Sequence, residues 1–289
     1  MAGKRGYNNG QLLSFAQNSY LERTSRAVYA IIFLLPFIIF YELGTILINT
    51  DLLNQSQIRV VAFVWLQNLL EYLGFGSKFA WIAPPLAVVV ILAAFQLACG
   101  KRWTVNFSDL WLMAVECILL AVPLIVISLL LNGPARAQQN SVSLHVFAQT
   151  GPIRSSHAAA GVLAAGQPLL PSIVTGIGAG IYEELVFRLI LICLLMLLFQ
   201  DVLKLTHKSS IILAVLISAA LFSAHHHIIF LNGRLDQSSP FNLAEFAFRT
   251  IAGIYFAALF AVRGFGITAG THAFYDIIAV FINARFFQA

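Results

Sequence analysis

The chain has 289 residues, of which 60% are hydrophobic and only 10% are charged. An ordinary soluble domain carries about 25% charged residues, so a water-soluble fold of this size is excluded. The net charge of +5 does not indicate nucleic acid, because the basic residues lie between apolar segments rather than on one face.

Residues 1–26 are polar and mixed, and include Lys4, Arg5, Arg23 and Arg26. They read as a cytoplasmic N-terminal segment. The apolar run 27–49 is long enough to cross a bilayer and reads as an uncleaved first helix, not a signal peptide. Further spans are expected at 80–99, 108–132, 172–199, 209–230, 241–262 and 266–284. The segment 59–73 is apolar but short and carries Arg59, Glu71 and the Gln67-Asn68 pair. It suits an interfacial helix or one that enters the bilayer partway. The segment 156–170 is similarly ambiguous.

The expected fold is therefore all-α: a polytopic membrane helix bundle of about seven or eight spans, in a single membrane domain over 27–289. Seven spans with the N-terminus inside put Lys101, Arg102, Lys204, Lys208 and Arg263 on the cytoplasmic side. The polar stretch 133–155, with Arg136 and Arg154, then falls outside, and the excess of positive charge inside supports this orientation. The cell membrane is the expected location, and membrane lipid an expected partner. Cys99, Cys117 and Cys193 show no zinc-ligand spacing and read as small packing residues. Pro36, Pro84, Pro85 and Pro123 read as helix kinks. Gly176 and Gly180 form a small-xxx-small pair that admits a close neighbouring helix. Glu42 and Glu116 read as polar packing contacts, and His145, His157 and His207 as loop residues.

Ionisable residues inside a bilayer are costly, so each is a functional candidate. Most of them fall in the last four spans. In Ile181-Tyr-Glu-Glu-Leu-Val-Phe-Arg188, Glu184 and Arg188 are one turn apart with the acid N-terminal to the base, the better pairing order. Glu183 points about 100° away, so one arginine cannot neutralise both acids equally. In Phe222-Ser-Ala-His-His-His-Ile228, the histidines fan over roughly 200°, and at most two face one cavity. Phe222 lies one turn before His226 and can brace its ring, whereas His225 follows Leu221 and His227 follows Ser223. In His272-Ala-Phe-Tyr-Asp276, the carboxylate is placed to fix the imidazole tautomer.

Glu-Glu-x-x-x-Arg, Phe-x-x-x-His and His-x-x-x-Asp, in that order on three late spans, resemble the CAAX prenyl protease type II (CPBP, or Abi) family of intramembrane proteases. The resemblance covers the motif core at 172–284. It implies an intramembrane endopeptidase with catalytic Glu183, His226, His272 and Asp276, supported by Glu184, Arg188 and Phe222. Glu183 and His226 would hold and deprotonate a water, and His272 with Asp276 would stabilise the oxyanion. The family's last motif often ends in asparagine, and Asp276 departs from that form. A protein or peptide is the expected substrate, prenylated proteins among the candidates. The sequence does not decide whether a cofactor takes part: Glu183, His226 and His272 can equally hold a divalent metal such as zinc, whose bound water would attack.

The alternative is a proton-coupled transporter, since buried acids and histidines also form proton relays, or a non-catalytic membrane scaffold on the same fold. The polar residues concentrate in one C-terminal region with no matching half, which counts against a transporter. One conflict stands within this reading. Counted from the expected helix starts, Glu183 lies mid-bilayer, His226 in the outer half and His272 nearer the inner side, and straight helices with those bounds would not bring them together.

Overall fold

The computed structural model describes residues 15–48, 59–75, 81–131, 169–231, 234–237 and 243–286. Nearly all of them are helical. A short α1 (Tyr20–Thr24), N-capped by the Ser19 hydroxyl, leads into α2 (Ala27–Ile48). Then come α3 (Val61–Tyr72), α4 (Ala83–Cys99) and α5 (Phe107–Leu131). The second half holds α6 (Leu169–Val202), α7 (His207–His225), α8 (Leu243–Arg263) and α9 (Phe265–Phe286).

Six of these helices are long and apolar enough to cross a membrane, and α4 is a shorter apolar helix. The chain is an integral multi-pass membrane protein with an all-α bundle. Its outward faces are apolar: Leu35, Ile39, Leu43 and Ile46 of α2 and Leu119, Val122 and Leu130 of α5 are exposed, as lipid contact requires. The 12-residue α3 is too short to span. It packs Val61, Ala62, Phe63 and Leu66 into the core. The expected segment 156–170 lies outside the described residues up to 168, as do the polar stretch 133–155, His145, His157 and residues 1–14.

The expected kinks divide. Pro36 and Pro123 sit inside α2 and α5, but Pro84 and Pro85 occupy the first turn of α4. There the missing N–H groups are ones a helix leaves unpaired anyway, so these prolines start the helix.

The expected span 209–230 is also corrected. Helix α7 stops at His225, His226 and His227 form a turn, and Ile228–Leu231 pairs antiparallel with Arg234–Gln237. Three weak helix formers followed by β-branched Ile228 and Ile229 explain the stop. The hairpin is the only strand pairing among the described residues.

Helix α6 runs 34 residues without interruption, with π-helical turns at Leu185–Leu191 and Leu197–Val202. Its length resolves the conflict in heights. From Glu183 to the end of α6 is 19 residues, and α7 is 19 residues long. Each is about 28 Å at 1.5 Å per residue. After the turn at 203–206, α7 runs back along α6 and ends level with Glu183. Helix α9 meets α6 from another side, antiparallel. An added Cβ at Gly180 would stand 2.6 Å from the Ala273 backbone nitrogen, and one at Gly176 would stand 2.7 Å from Asp276 Cβ. The two glycines let the α9 backbone close on α6 at the level of the acids.

Candidate active site

Adjacent Glu183 and Glu184 face different neighbours because one helical step turns a side chain by about 100°. Both are buried. Glu184 pairs with Arg188 one turn on, Oε2 to Nε at 3.1 Å, and its Oε1 accepts from His272 Nδ1 at 2.7 Å. His272 Nε2 lies 3.6 Å from Asp276 Oδ2. The imidazole is thus held between two carboxylates, and it stacks on Phe256 with centroids 4.5 Å apart.

Glu183 faces the end of α7. Its Oε1 lies 3.5 Å from His225 Nε2 and its Oε2 3.9 Å from His226 Nε2. Phe222 joins the two halves. The Arg188 guanidinium sits 4.1 Å above its ring. His225, His226 and His272 contact the same ring at centroid distances of 5.5, 5.3 and 6.1 Å. Arg188 also reaches the Gly253 carbonyl at 3.4 Å, tying α6 to α8. The π-helical turn begins at Leu185, immediately after the acids, and carries Arg188. Such turns are frequent at functional sites because they shift one side chain out of helical register.

Residues 165–278 match the family model described as type II CAAX prenyl endopeptidase Rce1-like. This stretch is an Rce1-like domain. It is the family read from the three motifs, and it is a protease family. Neither a curated protein nor a solved structure matches the chain.

Within the Rce1-like domain the structure gathers Glu183, Glu184, Arg188, Phe222, His226, His272 and Asp276 around one point. It adds His225, which the sequence reading set aside. That reading gave His225 only Leu221 as a neighbour on its face. In the fold His225 packs on Phe187 at 4.8 Å, Phe222 at 5.5 Å and Trp65 at 5.8 Å. Phe187 and Trp65 come from α6 and α3, so spacing along α7 could not reveal them. His226 is the C-cap of α7, with φ −76° and ψ −21° still helical, so it stands about one 100° step from His225, and both rings reach Glu183. His227 turns elsewhere, with Nε2 3.5 Å from Arg249 Nη1.

Sequence reasoning also missed the support beside the acids. Tyr182, next to Glu183, donates to Glu42 Oε1 at 3.3 Å, and Arg59 pairs with Glu42 Oε2 at 2.9 Å. Arg59 lies 4.3 Å over Phe63, and Tyr41 and Tyr182 complete an aromatic cluster with Phe63. This network pins the start of α3 to α2 and α6, and Trp65 on α3 then reaches the histidines. Glu42 in an apolar run was the available signal. Its partner, 17 residues away and beyond the end of α2, was not readable.

Proposed function

We propose that the chain is an intramembrane endopeptidase that hydrolyses a peptide bond in a membrane-associated protein or peptide, with prenylated proteins among its substrates. The observation that carries this reading is the pair of adjacent buried carboxylates that face different imidazoles: Glu183 lies beside His225 and His226, and Glu184 is hydrogen-bonded to His272.

The roles follow from those contacts. Glu183 is not the partner of Arg188, so it is available to accept a proton. Glu183 and His226 hold a water, and Glu183 takes its proton as the oxygen adds to the scissile carbonyl carbon. His272, fixed by Glu184 at one nitrogen and near Asp276 at the other, stabilises the oxyanion. Glu183 then returns its proton to the leaving nitrogen, giving a carboxyl and an amine product. Glu184 and Arg188 position the α6 turn and His272 rather than reacting. The site opens within the cell membrane, with the N-terminus on the cytoplasmic side as the basic loops favour.

The test is purified protein in detergent against a peptide library that includes prenylated peptides, with Glu183→Ala as the control. Cleavage lost in the variant supports the reading. Equal cleavage by both proteins refutes it.

A further inference from the structure

Helix α3 is too short to cross a bilayer, yet it brings an ion pair into the protein and reaches the acid-bearing turn of α6. Arg59, just before the helix, pairs with Glu42 of α2 at 2.9 Å, and both side chains are largely buried. Apolar residues would stabilise such a place as well as an ion pair does, so what the pair adds is a fixed register. Next to it the Val60 N–H donates to the Tyr41 hydroxyl at 3.4 Å. From this anchor α3 touches α6 on both sides of the acids. Phe63 meets Tyr182, one residue before Glu183, with centroids 4.9 Å apart. Trp65 meets Phe187, three residues after Glu184, at 6.3 Å. Phe187 belongs to the π-helical turn, where the register of α6 shifts.

His225 depends on that contact. Its Nδ1 donates to the Phe222 carbonyl at 2.5 Å, since a carbonyl can only accept. Its Nε2 faces Glu183 Oε1 at 3.5 Å and makes no hydrogen bond among the described residues. The last torsion of a histidine side chain has a broad minimum, so one bond at Nδ1 does not fix the ring plane. Packing has to fix it, and the rings of Phe187, Phe222 and Trp65 surround the imidazole. The two phenylalanines belong to the Rce1-like domain. Trp65 lies outside it and is only half-buried, whereas the imidazole beneath it is buried.

We propose that Trp65 is a positioning residue for the Glu183 site: anchored through Arg59, its indole covers His225 and holds the Nε2 edge of that ring toward Glu183. The first half of the chain thereby supplies one wall of a site whose motifs all lie in the second half. Without the indole a ring-sized space opens beside His225, and the imidazole can turn away from the carboxylate. The covering of His225 does not depend on the hydrolase reading. Only its effect on rate rests on that reading.

The experiment treats the full chain in mild detergent with diethyl pyrocarbonate, which acylates an unprotonated imidazole nitrogen that it can reach. Fragment mass spectrometry locates the product, and exposed His207 reports the dose. His225 should react several-fold faster in Trp65→Ala than in wild type, and at nearly the wild-type rate in Trp65→Phe, which keeps a ring there. His272, bonded to Glu184 and stacked on Phe256, should stay protected in both. The double variant Glu42→Gln, Arg59→Met removes the anchor without stranding a charge, so it folds and should expose His225 as Trp65→Ala does. On any substrate that wild type cleaves, Trp65→Ala should lower kcat by up to about 100-fold with little change in KM, the cost of a misplaced reacting group. Unchanged labelling of His225 in Trp65→Ala would overturn the proposal. So would an equal rise at His225 and His272, which would mean a loosened fold. A rise in Trp65→Ala with none in the double variant would overturn the part given to Arg59. A wild-type chain that cleaves nothing would refute the hydrolase reading instead, and the labelling would still decide whether Trp65 covers His225.

Discussion

Two of the charged clusters among the described residues are built on opposite principles. One ties α1 and the end of α8 to the first half of α5. Arg263 donates to Glu116 Oε1 at 2.6 Å and Oε2 at 2.8 Å, and also to Thr24 Oγ1 and the Leu21 carbonyl. Tyr20 donates to the same Glu116 carboxylate at 2.7 Å. Beside it, Arg23 grips both oxygens of Asp109, and Tyr29 adds a third bond. In this cluster each acid has a cation and a hydroxyl aimed at it. The other cluster surrounds Glu183. It packs three acids, three histidines and one arginine, and it leaves Glu183 Oε2 and both Asp276 carboxylate oxygens without a hydrogen bond among the described residues. The first arrangement minimises the cost of charge near a membrane. The second keeps that cost, which is the mark of groups held ready for a substrate or ion.

The comparison can be broken by mutation, and the largest effects should fall on rate. Glu183→Ala and His272→Ala are expected to lower turnover by about 100-fold or more, the scale of losing a positioned acid–base group. The melting temperature of Glu183→Ala should stay near wild type, because it removes a charge that the fold does not satisfy, whereas His272→Ala also removes the 2.7 Å bond to Glu184 and should lose some stability. His225→Ala and His226→Ala should both lose activity, whereas His227→Ala, whose ring faces Arg249, should retain most of it. A fall in stability without a fall in rate at Glu183 would place it with the structural cluster.

Arginine removal should show the reverse. Arg188→Ala strands Glu184 in a site with no exposure and should cost about 3–5 kcal/mol in unfolding free energy. Arg263→Ala should cost less, about 2 kcal/mol, because Glu116 is one-fifth exposed and water screens it. Denaturant titration in mild detergent measures both. Equal losses would mean that burial does not separate the clusters.

A smaller effect is expected at the helix crossing that assembles the site. Gly180→Ala puts a methyl group against the α9 backbone and should cost about 1–3 kcal/mol. Turnover should fall with it, because the shift displaces His272 from Glu184. The smallest effect lies in α1. Glu22 pairs with Arg26 at 2.6 Å in the favourable i, i+4 order. Hydrogen bonding to Arg26 holds the Glu22 carboxyl below its ordinary value. A depressed acid stabilises the fold above its unfolded pKa, and that contribution fades as pH falls through the lower, folded value. Glu22→Gln should cost only about 0.3–0.5 kcal/mol at neutral pH, and nothing once wild-type Glu22 is protonated. A pH series of melting temperatures for the two proteins checks the sign.

The acids, the arginine and the two histidine-bearing motifs were legible because these groups interrupt apolar runs. The bilayer makes such residues too costly to keep by accident. The small-xxx-small spacing likewise announced the closeness of α9, and composition alone fixed the all-α membrane class. Other features were not legible, and each failed for a physical reason. The end of α7 at His225 depends on a hairpin beyond it, and local pattern reads boundaries poorly. Without that end, and without the full length of α6, the heights of Glu183 and His226 did not agree.

Which residues carry charge into the membrane, and which helices hold them, could be read from the order of amino acids. Tertiary structure alone decided how those charges are shared: His272 with Glu184, and His225 beside His226 on Glu183. Helical periodicity orders side chains within one element, but it says nothing about which face of another element lies opposite. Phe187, Trp65 and Phe222 meet His225 only when α6, α3 and α7 pack together.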